Sequence, residues 1–295
     1  MEAPNIAETN VADSATSFIK SKSFSSKMYF PSDVLKWMKL NAKPQMSLKL
    51  MKICKYFQHQ QFPYFVIKNL RLTYGKFHYY STLNDESHYC RNIEEIPNNL
   101  WITNLVLAFW PNSLTHLISK ISFCEAKKVF LKDENISFDH FEVLVSSVKQ
   151  LELKHTKIYD DIVDTVPLEM ILESLPSVED INFVSTIPSF SSIEAAKQVV
   201  LPNLRNFEFG GISNGFNIDA FIEFMDKHKN VKFDLSFFCD LQPFPHVQKL
   251  QGFVDEIIAT ADLQYPPPII NFSCETFESW NALMALRKTF DEKNS

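Results

Sequence analysis

The sequence predicts an α/β protein in which a small N-terminal helical unit precedes a longer strand–helix solenoid with a parallel sheet. Three observations lead to this prediction. Apolar residues recur at helical spacing between residues 31 and 59, and a short apolar strand pattern recurs from residue 67 onward. Helical segments of about ten residues separate the strand patterns, and crossovers of that length join parallel strands.

Residues 1–28 are rich in serine, alanine and asparagine and show little hydrophobic periodicity. Such a composition offers too few apolar side chains to form a core, so we expect a disordered tail over this range. The first residues lack the basic and apolar regions of a secretory signal. We therefore expect a soluble protein in the cytoplasm, the nucleus or both.

The sequence predicts a small helical unit over residues 29–66. Pro31 and Asp33 favour a helix start, because proline suits the first helical turn and aspartate can cap it. Pro44 disfavours helical geometry in the residue before it, so the first helix should end there. A second helix is expected near residues 45–59 from one apolar stripe, formed by Met46, Leu50, Ile53, Cys54 and Phe57.

Residues 67–295 carry an imperfect repeat of three apolar residues at the first, fourth and sixth positions. The central residues are separated by 35, 24, 22, 30, 26 and 24 residues, mostly within or near the spacing of leucine-rich repeats. We therefore expect an irregular leucine-rich-repeat-like domain that binds a substrate or partner. The repeats are Ile67/Leu70/Leu72, Ile102/Leu105/Leu107, Ala126/Val129/Leu131, Val148/Leu151/Leu153, Val178/Ile181/Phe183, Leu204/Phe207/Phe209 and, more weakly, His228/Val231/Phe233.

The segments between these strands predict helices near residues 138–148, 167–175 and 217–225, and a final helix near 277–290 serves as a terminal cap. Asn217 or Asp219 is the expected cap of the third of these helices. A different α/β sheet with uneven helices would produce a similar pattern, so that alternative stays open.

Composition argues against several classes of enzyme. The chain has five glycines in 295 residues and contains no GxGxxG, GxxxxGK[ST] or GxSxG motif, which disfavours nucleotide-binding folds and serine hydrolases. The five cysteines are scattered and never form a CxxC pair, as expected of reduced thiols. His78, His88 and Cys90 form a loose group whose spacing in the sequence is poor for metal ligands. We predict no catalytic residue, no metal and no cofactor.

Charge is unevenly distributed along the chain. The whole protein carries a net charge of −6, whereas residues 31–57 contain six lysines and one acidic residue, a local charge of +5. A basic helical unit that is apolar on more than one side suggests an acidic partner protein. Helix–turn–helix DNA binding and a merely solvated lysine face are the alternatives, although no Arg, Asn or Gln run suits the base edges.

Residues 30–66 resemble an F-box. The family motif opens with an apolar-Pro pair, here Phe30-Pro31, and its second helix ends in a signature that matches Ile53–Phe57. The wider chain, including Pro97–Ile102, is similar to the nematode-expanded F-box-like proteins with an uncharacterised associated region. Two features depart from the motif: Phe-Pro replaces the commoner Leu-Pro, and Pro63 interrupts the expected third helix.

The resemblance implies a non-catalytic substrate receptor of a Skp1–cullin–F-box ubiquitin ligase. The N-terminal helices would dock on a Skp1-type adaptor, and the C-terminal domain would hold an unknown protein substrate. No membrane is expected as a partner, nucleic acid is disfavoured, and a protein- or DNA-binding module without a ligase link is the alternative. The expected adaptor-binding residues, divided between core and docking face in a way the sequence leaves open, are Pro31, Val34, Leu35, Met38, Leu50, Ile53, Cys54 and Phe57.

Overall fold

The structure is a computed structural model with two compact units, divided between residues 60 and 61. It describes residues 31–42, 44–53, 57, 64–73, 76–81, 87–160, 165–185, 188–213, 215–237, 247–260, 264–272 and 275–294. The expected tail over 1–28 lies outside these residues, and so does Cys54.

The first unit contains two ten-residue helices, α1 (Ser32–Asn41) and α2 (Pro44–Ile53). The helix start predicted near Pro31 is confirmed: Pro31 occupies the N-cap position of α1 with extended backbone, and Asp33 lies in the first turn without a side-chain capping hydrogen bond. At the end of α1, the Ala42 backbone N–H donates to the Met38 carbonyl at 2.9 Å. Pro44 then opens α2, where its missing N–H costs no helical hydrogen bond.

The described part of the second unit is built from thirteen strands and six helices. The strands are β1 (Phe65–Thr73), β2 (Lys76–Ser81), β3 (Ser87–Cys90), β4 (Leu100–Ala108), β5 (Ile121–Cys124), β6 (Lys128–Lys132), β7 (Asn135–Ser137), β8 (Gln150–Lys154), β9 (Lys157–Tyr159), β10 (Asp180–Val184), β11 (Asn206–Ile212), β12 (Lys232–Phe237) and β13 (Ile269–Asn271). The helices are α3 (Phe138–Val145), α4 (Leu168–Glu173), α5 (Ile193–Gln198), α6 (Ile218–Lys227), α7 (Val247–Thr260) and α8 (Phe277–Asn294).

The main sheet is mostly parallel, and its strand order follows the chain. Strands β1, β4, β6, β8, β10, β11, β12 and β13 lie side by side in that order, each parallel to its neighbour. The antiparallel strands β2 and β3 extend the sheet beyond β1, and β5 pairs with the first half of β4. Short strands β7 and β9 form a separate parallel pair. The structure thus confirms a mixed α/β fold with a mostly parallel central sheet.

Two rows of buried side chains cross the sheet in register and explain why these strands align. The same core also contains buried side chains of α3, α4, α5 and α6, so these helices cover this face of the sheet. The first row is Leu70, Val106, Val129, Leu151, Ile181, Phe207 and Phe233. The second row is Leu72, Ala108, Leu131, Leu153, Phe183, Phe209, Leu235 and Ile270.

Phenylalanine fills the C-terminal half of this core. The Phe207 ring lies 5.5 Å from the Phe221 ring, 5.9 Å from Phe224 and 5.7 Å from Phe233, measured between centroids. These separations are those of favourable edge and tilted aromatic pairs. Phenylalanines of α6 thus pack against those of β11 and β12, and Phe183 of β10 contacts Phe207 and Phe209.

The backbone repeats the same turns along the array. Before β8, β10 and β11, a backbone N–H donates to the carbonyl three residues earlier, as in Val148 to Val145 at 2.9 Å. After β6, β8 and β10, a residue with left-handed backbone donates its N–H to a carbonyl of the next strand, each at 2.9 Å. These residues are Asp133, His155 and Ser185, whose φ angles are 56°, 49° and 56°.

Two of the seven expected repeats were placed in the wrong register. In β4, Val106 and Ala108 occupy the buried rows, whereas Leu105 and Leu107 face the other side of the sheet. Both faces of β4 are apolar, so alternation could not decide between them. In β12, Phe233 and Leu235 align with Phe207 and Phe209, and the expected central residue Val231 precedes the strand.

Candidate protein-binding surfaces

Among the described residues of the helical unit, three large apolar side chains are exposed. Trp37 is 64% exposed, Leu40 85% and Met46 51%. Trp37 and Leu40 are three residues apart on α1, so they lie on the same face of that helix. Large apolar groups clustered at the surface commonly mark protein interaction sites. We call Trp37 and Leu40 the apolar patch; Met46 on α2 is a further exposed apolar side chain.

Lysines accompany the apolar patch. Lys36 and Lys49 are exposed, and Lys39 is half-buried. The only acidic residue of this stretch, Asp33, is also exposed near the start of α1. The described surface of the unit therefore combines apolar and positively charged groups, which is complementary to an acidic partner.

The expected adaptor-binding residues fall into three groups. Leu35, Leu50 and Phe57 are buried, with exposed fractions of 6%, 7% and 2%. Pro31 is exposed, while Val34 and Met38 are half-buried. Ile53 is the last residue of α2, and its side chain, like Cys54, lies outside what the structure describes. The exposure of the apolar patch was not predicted, because apolar periodicity shows which residues share a face of a helix but not which face is covered.

The second unit presents a polar surface on the face of the sheet opposite the buried rows. Across β8, β10 and β11, Gln150 and Asn206 donate to the two carboxylate oxygens of Asp180, with Gln150 Nε2 at 3.0 Å. In the next row, Asn182 Nδ2 donates to Glu208 Oε2 at 2.8 Å. We call this set of amides and carboxylates the polar ladder.

The polar ladder surrounds a shallow groove of about 230 Å³, with the partly buried ring of Phe130 at one side. Lys154 Nζ lies 2.7 Å from Glu152 Oε1 next to it, so charges of both signs are present. Such a surface offers donors, acceptors and one aromatic group to a polypeptide, and its lining carries three carboxylates, those of Glu152, Asp180 and Glu208. The alternating polar residues in QLELK, DINFV and NFEF are a sequence signal that would have found it.

The hairpin of β2 and β3 carries exposed aromatic residues. His78 stacks on Tyr89 with ring centroids 3.9 Å apart, and Tyr89 is 71% exposed. Burial and the nearby Arg71 guanidinium lower the pKa of His78. His78 pairs across the ladder with Tyr89, whereas His88 pairs with Tyr79, so the two histidines point to opposite faces. The three residues considered as metal ligands are therefore not brought together.

The described residues contain no group of three or more His, Cys, Asp or Glu side chains placed to hold a metal ion. Cys124 is buried, its Sγ donates to the Leu144 carbonyl at 3.3 Å, and burial raises the pKa of its thiol to about 11. A thiol of that pKa is almost fully protonated at neutral pH and is a poor nucleophile. Among the helices of the described chain, none has the length and apolar character needed to cross a bilayer.

A scan against protein-family models and a search of curated proteins found no match to this chain. Two surfaces of the described chain are therefore the candidates for binding a partner. One is a small basic unit with an exposed apolar patch, and the other is the polar ladder on a mostly parallel sheet.

Proposed function

We propose that the protein is a non-catalytic substrate receptor that joins a Skp1-type adaptor to a protein substrate. Under this proposal the helical unit docks on the adaptor, and the second unit, a leucine-rich-repeat-like array, binds the substrate. The observation that carries the proposal is the apolar patch among exposed lysines on a unit separate from the sheet. A short helical unit with such a surface suits binding to an acidic helical groove.

The parallel strands follow one another in chain order and the same turns recur between them, which supports the interpretation of the second unit as a repeat array. Repeat arrays present long surfaces on one side of their sheet, which suits them to protein ligands. Here that side carries the polar ladder. Ubiquitin transfer would take place on other subunits of the ligase, so the proposal needs no catalytic residue in this chain.

The docking surface in this proposal is the apolar patch together with Lys36 and Lys49. Leu35, Leu50 and Phe57 support the helices from inside, because their side chains are already buried in the chain alone. This division gives a test in which the variant residue is on the surface. Leu40 is the best choice, since its side chain is 85% exposed.

The test is co-expression of the full chain with a Skp1-type adaptor, followed by size-exclusion chromatography. We expect a complex with the wild type and its loss in Leu40→Asp. The matched control is Val200→Asp, because Val200 is 62% exposed in the second unit and lies outside the apolar patch. Failure of the folded wild type to bind any adaptor tested would refute the proposal, as would equal binding by Leu40→Asp.

A further inference from the structure

A cleft of about 430 Å³ lies where three segments of the second unit meet. One segment is the end of β1 with the start of β2, the second begins directly after β3, and the third is the loop after β4. Strand pairing brings these segments together, because Leu72 pairs with Phe77 and Phe77 with Cys90. The Phe109 backbone N–H also donates to the Leu72 carbonyl at 2.9 Å.

The lining of this cleft is basic. Lys76, Arg91 and His116, one from each segment, line it and are exposed, whereas no aspartate or glutamate does. Within the described chain, no ion pair or side-chain hydrogen bond engages any of these three side chains. Two cationic side chains and one histidine, each from a separate segment, therefore line the cleft, and no described acidic residue lines it with them.

The neutral polar groups of the lining also favour an anion. The Asn92 side-chain oxygen accepts from the Glu94 backbone N–H at 3.0 Å, and the Asn112 side-chain oxygen accepts from Asn135 Nδ2 at 3.1 Å. Since both amide oxygens are engaged, the amide N–H groups are the donors these residues can offer to a ligand. The lining is therefore rich in donors and poor in acceptors.

One buried acid lies behind the wall of the cleft. Glu134 accepts hydrogen bonds from the Ser113 backbone N–H at 3.1 Å and from Ser113 Oγ at 2.6 Å. Burial raises the pKa of Glu134. Its hydrogen bonds hold the Ser113 donors away from the cleft, so a ligand would use the lysine, the arginine, the histidine and the two amides.

We propose that this cleft binds a phosphorylated side chain of a protein ligand. A phosphate monoester presents three acceptor oxygens and a charge near −2, which matches two cationic side chains, a histidine and two amide donors better than a single carboxylate does. The cleft exceeds the size of a phosphate group, and the Trp110 and Phe77 side chains in its lining give apolar contact to the rest of the ligand. That the phosphate is carried by a protein rests on the proposed function.

The test uses fluorescein-labelled degenerate peptide pools with a fixed central phosphoserine, phosphothreonine or phosphotyrosine, and the same pools without phosphate. Fluorescence anisotropy with the full chain should show at least one phosphorylated pool binding about tenfold more tightly than its unphosphorylated partner. The double variant Lys76→Gln/Arg91→Gln should lose that preference. Arg205→Gln is the matched control, because Arg205 has a side chain that is 75% exposed and does not line the cleft.

Equal binding of phosphorylated and unphosphorylated pools, or no binding by any pool, would overturn the proposal. Binding of AMP or inorganic phosphate without binding of a phosphorylated pool would also overturn it, since the ligand would then be a free anion. Adaptor binding is measured on the same protein samples. Loss of adaptor binding with phosphopeptide binding intact would refute the ligase link alone, whereas the reverse result would refute the cleft alone.

Discussion

Arg287 is expected to be the most important polar side chain for the stability of the C-terminal end of the sheet. It lies on α8, and its side chain is only 8% exposed. Its Nε donates to the Pro267 carbonyl at 2.7 Å, and its Nη2 donates to the Phe233 carbonyl at 2.9 Å. Nη1 also lies 3.4 Å from the Asp234 carboxylate. One side chain thus connects α8 to β12 and to the segment before β13.

The substitution Arg287→Met keeps much of the side-chain volume and removes all of these polar contacts. Leaving a buried hydrogen-bonding group without its partner costs about 1–3 kcal/mol, and two carbonyls lose a donor here. Allowing for water reaching one of them, we expect the free energy of unfolding to fall by about 1–3 kcal/mol. Urea unfolding followed by circular dichroism measures this change.

The control for this prediction is Arg205→Met. The Arg205 side chain is 75% exposed, and its Nη1 lies 3.9 Å from the Glu179 carboxylate. Exposed ion pairs of this kind contribute about 0–1 kcal/mol, so the control should remain close to the wild type. A loss below about 1 kcal/mol for Arg287→Met, or equal losses for the two variants, would refute the reasoning from buried hydrogen bonds.

Three further predictions concern the core and its buried titratable groups. Phe207→Ala should lower the free energy of unfolding by about 3–5 kcal/mol, because it opens a cavity among packed rings, whereas the 74%-exposed Phe277→Ala should have little effect; urea unfolding compares them. His228 Nε2 accepts a hydrogen bond from the Leu201 N–H at 3.1 Å, and burial lowers the pKa of this histidine. Stability should therefore fall as the pH drops below about 6.5. Thermal unfolding measured over a series of pH values should show a weaker pH dependence for His228→Gln. Burial raises the pKa of Glu134, so the contribution of this residue to the free energy of unfolding is greatest below about pH 4.5 and decreases as the pH rises through the raised pKa. A Glu134→Gln variant whose free energy of unfolding changed with pH as steeply as that of the wild type over this range would contradict the prediction.

The buried rows of the sheet were largely predictable from the sequence. Leu151, Ile181 and Phe207 alternate with polar neighbours inside their strands, so period two identifies their buried face. Local chemistry also placed helix starts: the Asn217 side chain accepts from the Ala220 backbone N–H at 3.2 Å, as expected of a cap. These features depend on residues close together in the chain.

The hairpin of β2 and β3, helix α7 and strand β5 were not predicted. The hairpin takes the place of a crossover helix between the first two repeats, where the spacing of 35 residues was the longest of the series. Because the described residues between β1 and β4 include no α-helix, the repeat pattern alone could not fix the register of β4. The error in β4 has this origin together with the two apolar faces of that strand.

The candidate surfaces were less predictable than the fold. Lysine enrichment around α1 and α2 was visible in the sequence, but the exposure of Trp37 and Leu40 depends on which face of each helix is covered. The basic cleft joins Lys76, Arg91 and His116, which are separated by 15 and 25 residues and meet only through strand pairing. No local sequence pattern predicts that these three residues line one cleft.

The most direct test of the central claim is hydrogen–deuterium exchange of the full chain with and without a Skp1-type adaptor. We expect slower exchange in peptides from α1 and α2 on adding the adaptor, and no change in peptides from β8, β10 and β11, which carry the polar ladder. The Leu40→Asp variant should lose the effect in α1 and α2. Unchanged exchange in both helices at saturating adaptor, or protection confined to the sheet, would contradict the account.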